Sequence, residues 1–241
     1  MDKPRCKQYC YQNIRTLPLR KQSHLQDLRL VLFDMDGVLT DTISSWRHIH
    51  NHFGVSNERS VQAYIKGEID DLEFIRRDVD LWRKDDHLIS LQELTDLLTE
   101  IPLMVGAKEC ISFLHQHDID TAIVSAGLDI LADRVAMDLG IHYVYANGIE
   151  VDHHDILTTK GIVRVPLMHK DKVVQRISKE LAIPLHDIAA VGNSCYDVPM
   201  LQMASLGIAF DPSDICVCEQ ADIIVMGKDL RELLKVFKLY L

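Results

Sequence analysis

Asp34 and Asp36 stand two residues apart, directly after the apolar block Leu30-Val-Leu-Phe33 and just before Gly37. Residues two apart at a strand end face the same side. The pair can therefore act as acid and base on one reacting group, or offer hard oxygen donors to a cation. Taken alone, Asp-x-Asp-Gly is more often an ordinary strand-ending turn. Three other segments carry complementary groups. Ser125 closes the apolar run from Thr121 and, with the backbone N–H groups of Ala126 and Gly127 near a helix start, suits an anion; a serine there also suits a helix N-cap. Lys170 opens an amphipathic stretch and offers a compact positive charge, which favours it over its neighbour Lys172. Asn193 and Asp197 follow Ile188-Ala-Ala-Val191-Gly192 and bring two more oxygen-bearing side chains. Thr40 and Asp41 read as turn and cap residues.

These residues can meet only if the elements carrying them end at one place. The blocks Leu30–Phe33, Thr121–Ser125 and Ile188–Val191 are short, apolar and stopped by polar residues, as buried parallel strands are. Helix-like stretches alternate with them at Ala107–Gln116, Asp129–Leu139 and Lys170–Leu181, and strand-sized runs follow at Leu206–Phe210 and Ile223–Val225, before a closing helix from Asp229. Alternation of this kind predicts an α/β fold, a Rossmann-like, mostly parallel sheet flanked by helices with right-handed crossovers. Ligands in such sheets sit beyond the carboxyl ends of the strands, where all four polar segments fall. Between Thr42 and Thr99 the pattern turns helical, with Leu72, Ile75, Val79 and Trp82 on one stripe. The expected organisation is a basic arm at 1–26, a core at 27–41 and 100–241, and a helical cap at 42–99 inserted after the first strand. His142–Ala146 resembles a strand, and residues 149–163 a polar hairpin excursion whose tip holds His153 and His154.

The segments Asp34-Met-Asp36-Gly37-Val-Leu-Thr40, Val124-Ser125-Ala-Gly127, Lys170, and Val191-Gly192-Asn193-Ser-Cys-Tyr-Asp197 resemble, in order and spacing, the four motifs of the haloacid dehalogenase superfamily. The cap placement, the stretch Tyr143-Val-Tyr-Ala-Asn147 and the tail Gln220-Ala-Asp-Ile-Ile resemble its phosphoserine-phosphatase branch. The resemblance covers about residues 29 to 238. It implies a phosphomonoester hydrolase in which Asp34 becomes an aspartyl-phosphate and Asp36 protonates the leaving alkoxide, then activates water. It further implies that Ser125, Ala126, Gly127 and Lys170 hold the phosphoryl group. Mg²⁺ would bind Asp34, the Asp36 carbonyl and the position of Asn193, with Asp197 as a further ligand. Chemistry agrees in outline, since a phosphate dianion repels a carboxylate nucleophile unless cations and donors neutralise its oxygens.

Two departures stand out. Asn193 replaces the usual metal-binding aspartate, keeping a hard oxygen and losing a charge. In the cap, Ile43 falls where the branch has a glutamate, Asp78 where it has an arginine, and Asp71 where it has an aromatic residue. The expected substrate is therefore a small phosphorylated metabolite other than phosphoserine. Phosphoserine itself, transfer to an alcohol, and a non-catalytic binding protein are the alternatives.

Composition narrows the remaining classes. A formal net charge of -10 over 241 residues opposes a nucleic-acid partner, whose phosphates most of the surface would repel. No run approaches the roughly 20 apolar residues of a spanning helix, and no signal-like segment opens the chain, so no membrane partner and a cytoplasmic location are expected. The cysteines at 6, 10, 110, 195, 216 and 218 show no C-x-x-C and are expected as reduced thiols. The basic arm would meet an anionic partner or a second copy in a homodimer; a solvated tail is the plainer reading.

Overall fold

The computed structural model describes Leu25 and residues 27–241, so the basic arm lies, apart from Leu25, outside the described residues. The central strand β1 (Leu30–Phe33) is buried along its whole length. Val31 and Phe33 face one apolar core and Leu30 and Leu32 the other; this two-sided burial is why the block is uniformly apolar and not alternating.

The chain then leaves the sheet for α1 (Ser45–His52), α2 (Glu58–Ile65), α3 (Asp71–Asp80), the short hairpin of β2 (Arg83–Lys84) and β3 (His87–Leu88), and α4 (Leu91–Thr99). It returns through α5 (Ala107–Gln116), β4 (Asp120–Leu128), α6 (Asp129–Leu139), β5 (Tyr143–Val151) and β6 (Leu157–Ile162). The last third runs α7 (Lys170–Glu180), β7 (Ile188–Gly192), α8 (Val198–Met203), β8 (Leu206–Phe210), α9 (Ile215–Gln220), β9 (Ile223–Val225) and α10 (Leu234–Phe237). Seven strands form one sheet in the order β6-β5-β4-β1-β7-β8-β9. All neighbours are parallel except β5 and β6. No helix among the described residues is long and apolar enough to cross a membrane.

Four local expectations change. The segment 42–99 is not purely helical, because positive φ at Asp85 and Asp86 turns the β2–β3 hairpin. Ile75 and Val79 of α3, and Trp82 just past its end, are buried, whereas Leu72, in the first turn of α3, is 52% exposed. The β4 strand does not stop at Ser125 but runs on to Leu128, past an irregularity in its pairing with β5. The closing segment starts as a tight 3-10 turn at Leu230–Leu233 before α10.

The β5–β6 hairpin does more than turn. Its strand β6 lies against α3, so close that a Cβ on Gly161 would come within 2.7 Å of Ile75 Cγ2. Backbone bonds from Leu91 N to Asp155 O (2.8 Å) and from Leu157 N to Ile89 O (3.0 Å) tie the hairpin to the start of α4. At the tip, Asp152 Oδ1 accepts from the His154 and Ile156 N–H groups, a polar turn as expected.

Leu32→Ala should cost about 2 to 5 kcal/mol, since it empties a site closed on all sides. Leu72→Ala, at an exposed position in the first turn of α3, should stay within about 0.5 kcal/mol of the native chain. Equilibrium urea unfolding of both variants, at unchanged m, checks the contrast.

Candidate active site

Register decides what meets. Phe33 pairs with Ile123 of β4 on one side and Val191 of β7 on the other, so β1 and β7 end nearly level while β4 runs on past them. Asp34 N donates to Val191 O at 2.9 Å, which fixes the first residue beyond β1. Asp34, Asp36, Ser125, Ala126, Gly127, Lys170, Asn193 and Asp197 all line a single cavity of about 900 Å³.

Lys170 is its electrostatic centre. It opens α7 and is 2% exposed; Nζ donates to Asp34 Oδ1 at 2.7 Å and to Asp197 Oδ1 at 2.6 Å. Burial disfavours its charge, but the Asp197 and Asp34 carboxylates outweigh that and hold the ammonium above its ordinary value. The neighbouring Lys172 is exposed. Asp34 is pushed up to about 7, first by burial and then by Asp197, with Lys170 pulling the other way. Asp197, equally buried, is held below the ordinary range because Lys170 and the backbone around Asn193 and Ser194 outweigh its desolvation.

Asp197, a metal-ligand candidate from the sequence, has both oxygens engaged by protein donors. Its Oδ2 accepts from Asn193 N (3.0 Å), Ser194 N (2.9 Å) and Ser194 Oγ (3.0 Å), while Oδ1 receives Lys170. Both oxygens are engaged in shaping the 193–197 loop and aiming the ammonium. Gly192 makes room for it, since a Cβ there would sit 2.4 Å from Asp197 Cβ.

Asp36 is held by a residue that sequence reasoning passed over. Ser45 N and Ser45 Oγ both donate to Asp36 Oδ2 at 2.8 Å, and Ser45 Oγ accepts from Leu128 N at 3.2 Å. The other oxygen, Asp36 Oδ1, is buried without a partner among the described residues. Burial pushes this carboxyl up, against the pull of the two Ser45 donors. The clue was Ser44-Ser45 before the α1 pattern: Ser44 caps the helix by accepting from Arg47 N, leaving Ser45 to face inward. Thr40 and Asp41 do not cap α1; Thr40 Oγ1 donates to Met35 O and Asp41 accepts from Lys228 Nζ at 2.6 Å.

Ser125 is likewise no helix cap, because α6 starts four residues later behind Leu128. Its Oγ accepts from Gly127 N at 3.1 Å. Gly127 is required by close approach, since a Cβ would fall 2.7 Å from Ser45 Oγ and 2.9 Å from Asp36 Oδ2. Trp46 Nε1 donates to Ala126 O at 3.0 Å. Asn147, 3% exposed, accepts from Arg164 N and Val165 N and so ties β5 to the segment that leads into Lys170.

Asn193 packs on Gly37. A Cβ there would come 2.1 Å from Asn193 Nδ2, and Gly37 has φ +80°, a second reason for glycine. The 193–197 loop is also clamped from outside. Cys195 N donates to buried Asp214 Oδ2 at 2.9 Å, and Cys195 forms a disulfide with Cys216 of α9. That bridge overturns the expectation of six reduced thiols. The partners lie 21 residues apart with no spacing signal, and only the packing of α9 beside the loop brings them together.

The cavity extends from the strand ends to the 42–99 segment, where Ile43, Asp71 and Asp78 also line it. Ile43 is 74% exposed. Asp71 Oδ1 accepts from Tyr64 OH (2.8 Å) and Leu167 N (2.9 Å).

Residues 31–202 match the family model of haloacid dehalogenase-like hydrolases. The chain is 29% identical to a phosphoserine phosphatase of Methanocaldococcus jannaschii, over 87% of this chain and 98% of that protein. It is 31% identical to one of Campylobacter jejuni, over 87% and 99%. Among solved structures it resembles a phospho-aspartyl intermediate analogue of phosphoserine phosphatase and a substrate-bound phosphoserine phosphatase complex. Each has a TM-score of 0.74 and 28% identity, over 88% of this chain and 99% of the other.

Removing the central charge should be costly. Lys170→Met strands Asp34 and Asp197 in the interior and should destabilise the chain by about 3 to 5 kcal/mol near neutral pH. Buried carboxylates with raised pKa bind protons more tightly folded than unfolded, so the deficit should shrink on acidification to about pH 5 and grow toward about pH 8. Denaturant unfolding at the two pH values, without divalent cations, measures it.

Proposed function

This chain belongs to the haloacid dehalogenase-like hydrolases, and on that footing we propose that it is a phosphatase whose nucleophile on phosphoric monoesters is Asp34. The observation that carries the assignment is the pairing of Asp34 with a buried lysine 2.7 Å away, on the same cavity as an acid with one unpartnered oxygen. The non-catalytic alternative is not favoured.

In the proposed reaction an Asp34 oxygen attacks phosphorus as the bond to the leaving oxygen breaks. The Lys170 ammonium and the donors of the Ser125–Gly127 segment face the charge that develops on the phosphoryl oxygens. Asp36 delivers its proton to the leaving alkoxide from Oδ1, while Ser45 keeps Oδ2 in place. Water then attacks the phosphorus of the aspartyl-phosphate, its proton passes to Asp36, and inorganic phosphate departs with Asp34 restored. The raised pKa of Asp36 suits the first step, which needs the protonated form at neutral pH. We also assign to 42–99 the role of a cap over the cavity.

A divalent cation fits the donor set. Asp34 and Asp197 put two buried carboxylates against one ammonium, so with both ionised the site carries uncompensated negative charge. The Asp34 carboxylate, the Asp36 carbonyl and the Asn193 amide oxygen would hold Mg²⁺. No three His, Cys, Asp or Glu side chains converge as a metal-holding group among the described residues, so neutral oxygens would complete the set. When bound, the ion supplies charge that keeps Asp34 ionised and neutralises phosphoryl oxygens. Asp197 is a positioning residue in this scheme.

Asp34→Asn should abolish turnover, and Asp36→Asn should lower kcat by about 10² to 10⁴-fold. Steady-state assays on a phosphomonoester panel with Mg²⁺ test this; near-native turnover by Asp34→Asn would remove the nucleophile assignment. Phosphoserine should rank low on that panel, because Asp78 repels its carboxylate. Asn193→Asp should lower the Mg²⁺ concentration for half-saturation by about tenfold, read by calorimetry.

A further inference from the structure

What the alcohol part of the substrate carries can be read from the other end of the cavity, an inference that rests on the phosphatase reading. Asp78 lines that cavity from α3 and is 3% exposed. Its Oδ2 accepts from His50 Nε2 at 3.3 Å and from Asn57 Nδ2 at 2.8 Å. Its Oδ1 is buried and has no partner among the described residues.

The charge on His50 follows from its second nitrogen. Trp82 Nε1 can only donate, and it stands 2.8 Å from His50 Nδ1. Nδ1 therefore presents a lone pair, the ring is neutral, and its one N–H is on Nε2, facing Asp78. Asn57 is neutral as well. No lysine or arginine pairs with Asp78 among the described residues; its one basic-type neighbour there is the neutral His50. A carboxylate withdrawn from water with neutral donors on one oxygen and nothing on the other is costly to keep.

The surroundings favour a cation. Glu58 and Asp71 line the cavity with Asp78 against the single guanidinium of Arg47, and Trp46 and Phe74 add aromatic walls. Asp71, only half-buried, has Oδ1 held by Tyr64 and Leu167, whereas Asp78 is the carboxylate at this end with a buried oxygen that lacks a partner among the described residues. We propose that Asp78 receives a positively charged nitrogen of the substrate, so that the site selects phosphoric monoesters whose alcohol part bears an ammonium group and no carboxylate.

A purely structural Asp78 would need only the oxygen that His50 and Asn57 already hold. The test is calorimetric titration of the Mg²⁺-loaded chain with 2-aminoethylphosphonate and with propylphosphonate, which differ by an ammonium in place of a methyl. The native chain should bind the amine about tenfold tighter or more. Asp78→Asn, isosteric and uncharged, should bind both alike while keeping the native affinity for propylphosphonate; Asp78→Ser serves the same comparison should the amide not fold. Equal binding by the native chain, or a preference that survives in the variant, overturns the proposal. Because binding needs no turnover, an inactive chain that prefers the amine would sink the phosphatase reading and keep this one. An active chain indifferent to the amine would do the reverse.

Discussion

Lys170 sets a single ammonium, out of contact with water, between carboxylates delivered by the ends of two different strands, and most of the site's geometry follows from keeping that charge paired. An isolated ammonium in the interior is prohibitively costly. Asp34 and Asp197 must therefore stay within hydrogen-bond reach of Nζ, as they do at 2.7 and 2.6 Å. Asp34 is fixed by the level ending of β1 and β7, and Asp197 by the three donors of Asn193 and Ser194. The loop that carries those donors is clamped in turn by Asp214 and by the Cys195–Cys216 bridge. One positive charge does not balance the carboxylates gathered there, and the remainder suits the site to a metal ion and to a ligand that brings its own donors.

Much of this was legible in the sequence because parallel strands buried on both faces announce themselves. Leu30–Phe33 is uniformly apolar, and the first polar residue after it is the one at the strand end. The same logic located Asn193 after Ile188–Val191 and Lys170 at the head of α7. What stayed hidden depends on contacts between distant segments. Ser45 looks like any helix-start serine until α1 folds back to place it on Asp36. Asp197 reads as one more oxygen ligand until the 193–197 loop closes around it. Cys195 and Cys216 lack a spacing signature, and Leu72 shares a stripe with buried neighbours yet falls on an open turn. In each case periodicity gives the local face but not what that face meets.

The cavity has two chemically separate ends. At the strand ends Asp34, Asp36 and the Lys170 ammonium stand in fixed relation, the arrangement we propose receives the phosphoryl group. At α3 a second carboxylate, Asp78, is held by a neutral imidazole whose protonation state is set by Trp82. Ile43, Asp71 and Asp78 at this end depart from the phosphoserine-phosphatase pattern read in the sequence, as Asn193 does at the other. The β5–β6 hairpin packs against α3, which couples the position of Asp78 to the same strand, β5, whose Asn147 steadies the approach to Lys170.

The central claim is that Asp34 itself accepts the phosphoryl group. Rapid acid quench during turnover of a ³²P-labelled monoester, followed by peptide mapping, tests it most directly. The account predicts label on the peptide containing Asp34, released by mild alkali or hydroxylamine as an acyl phosphate is. Label on another residue, or turnover with direct phosphate transfer to water and no labelled peptide under conditions that accumulate the intermediate, would contradict it.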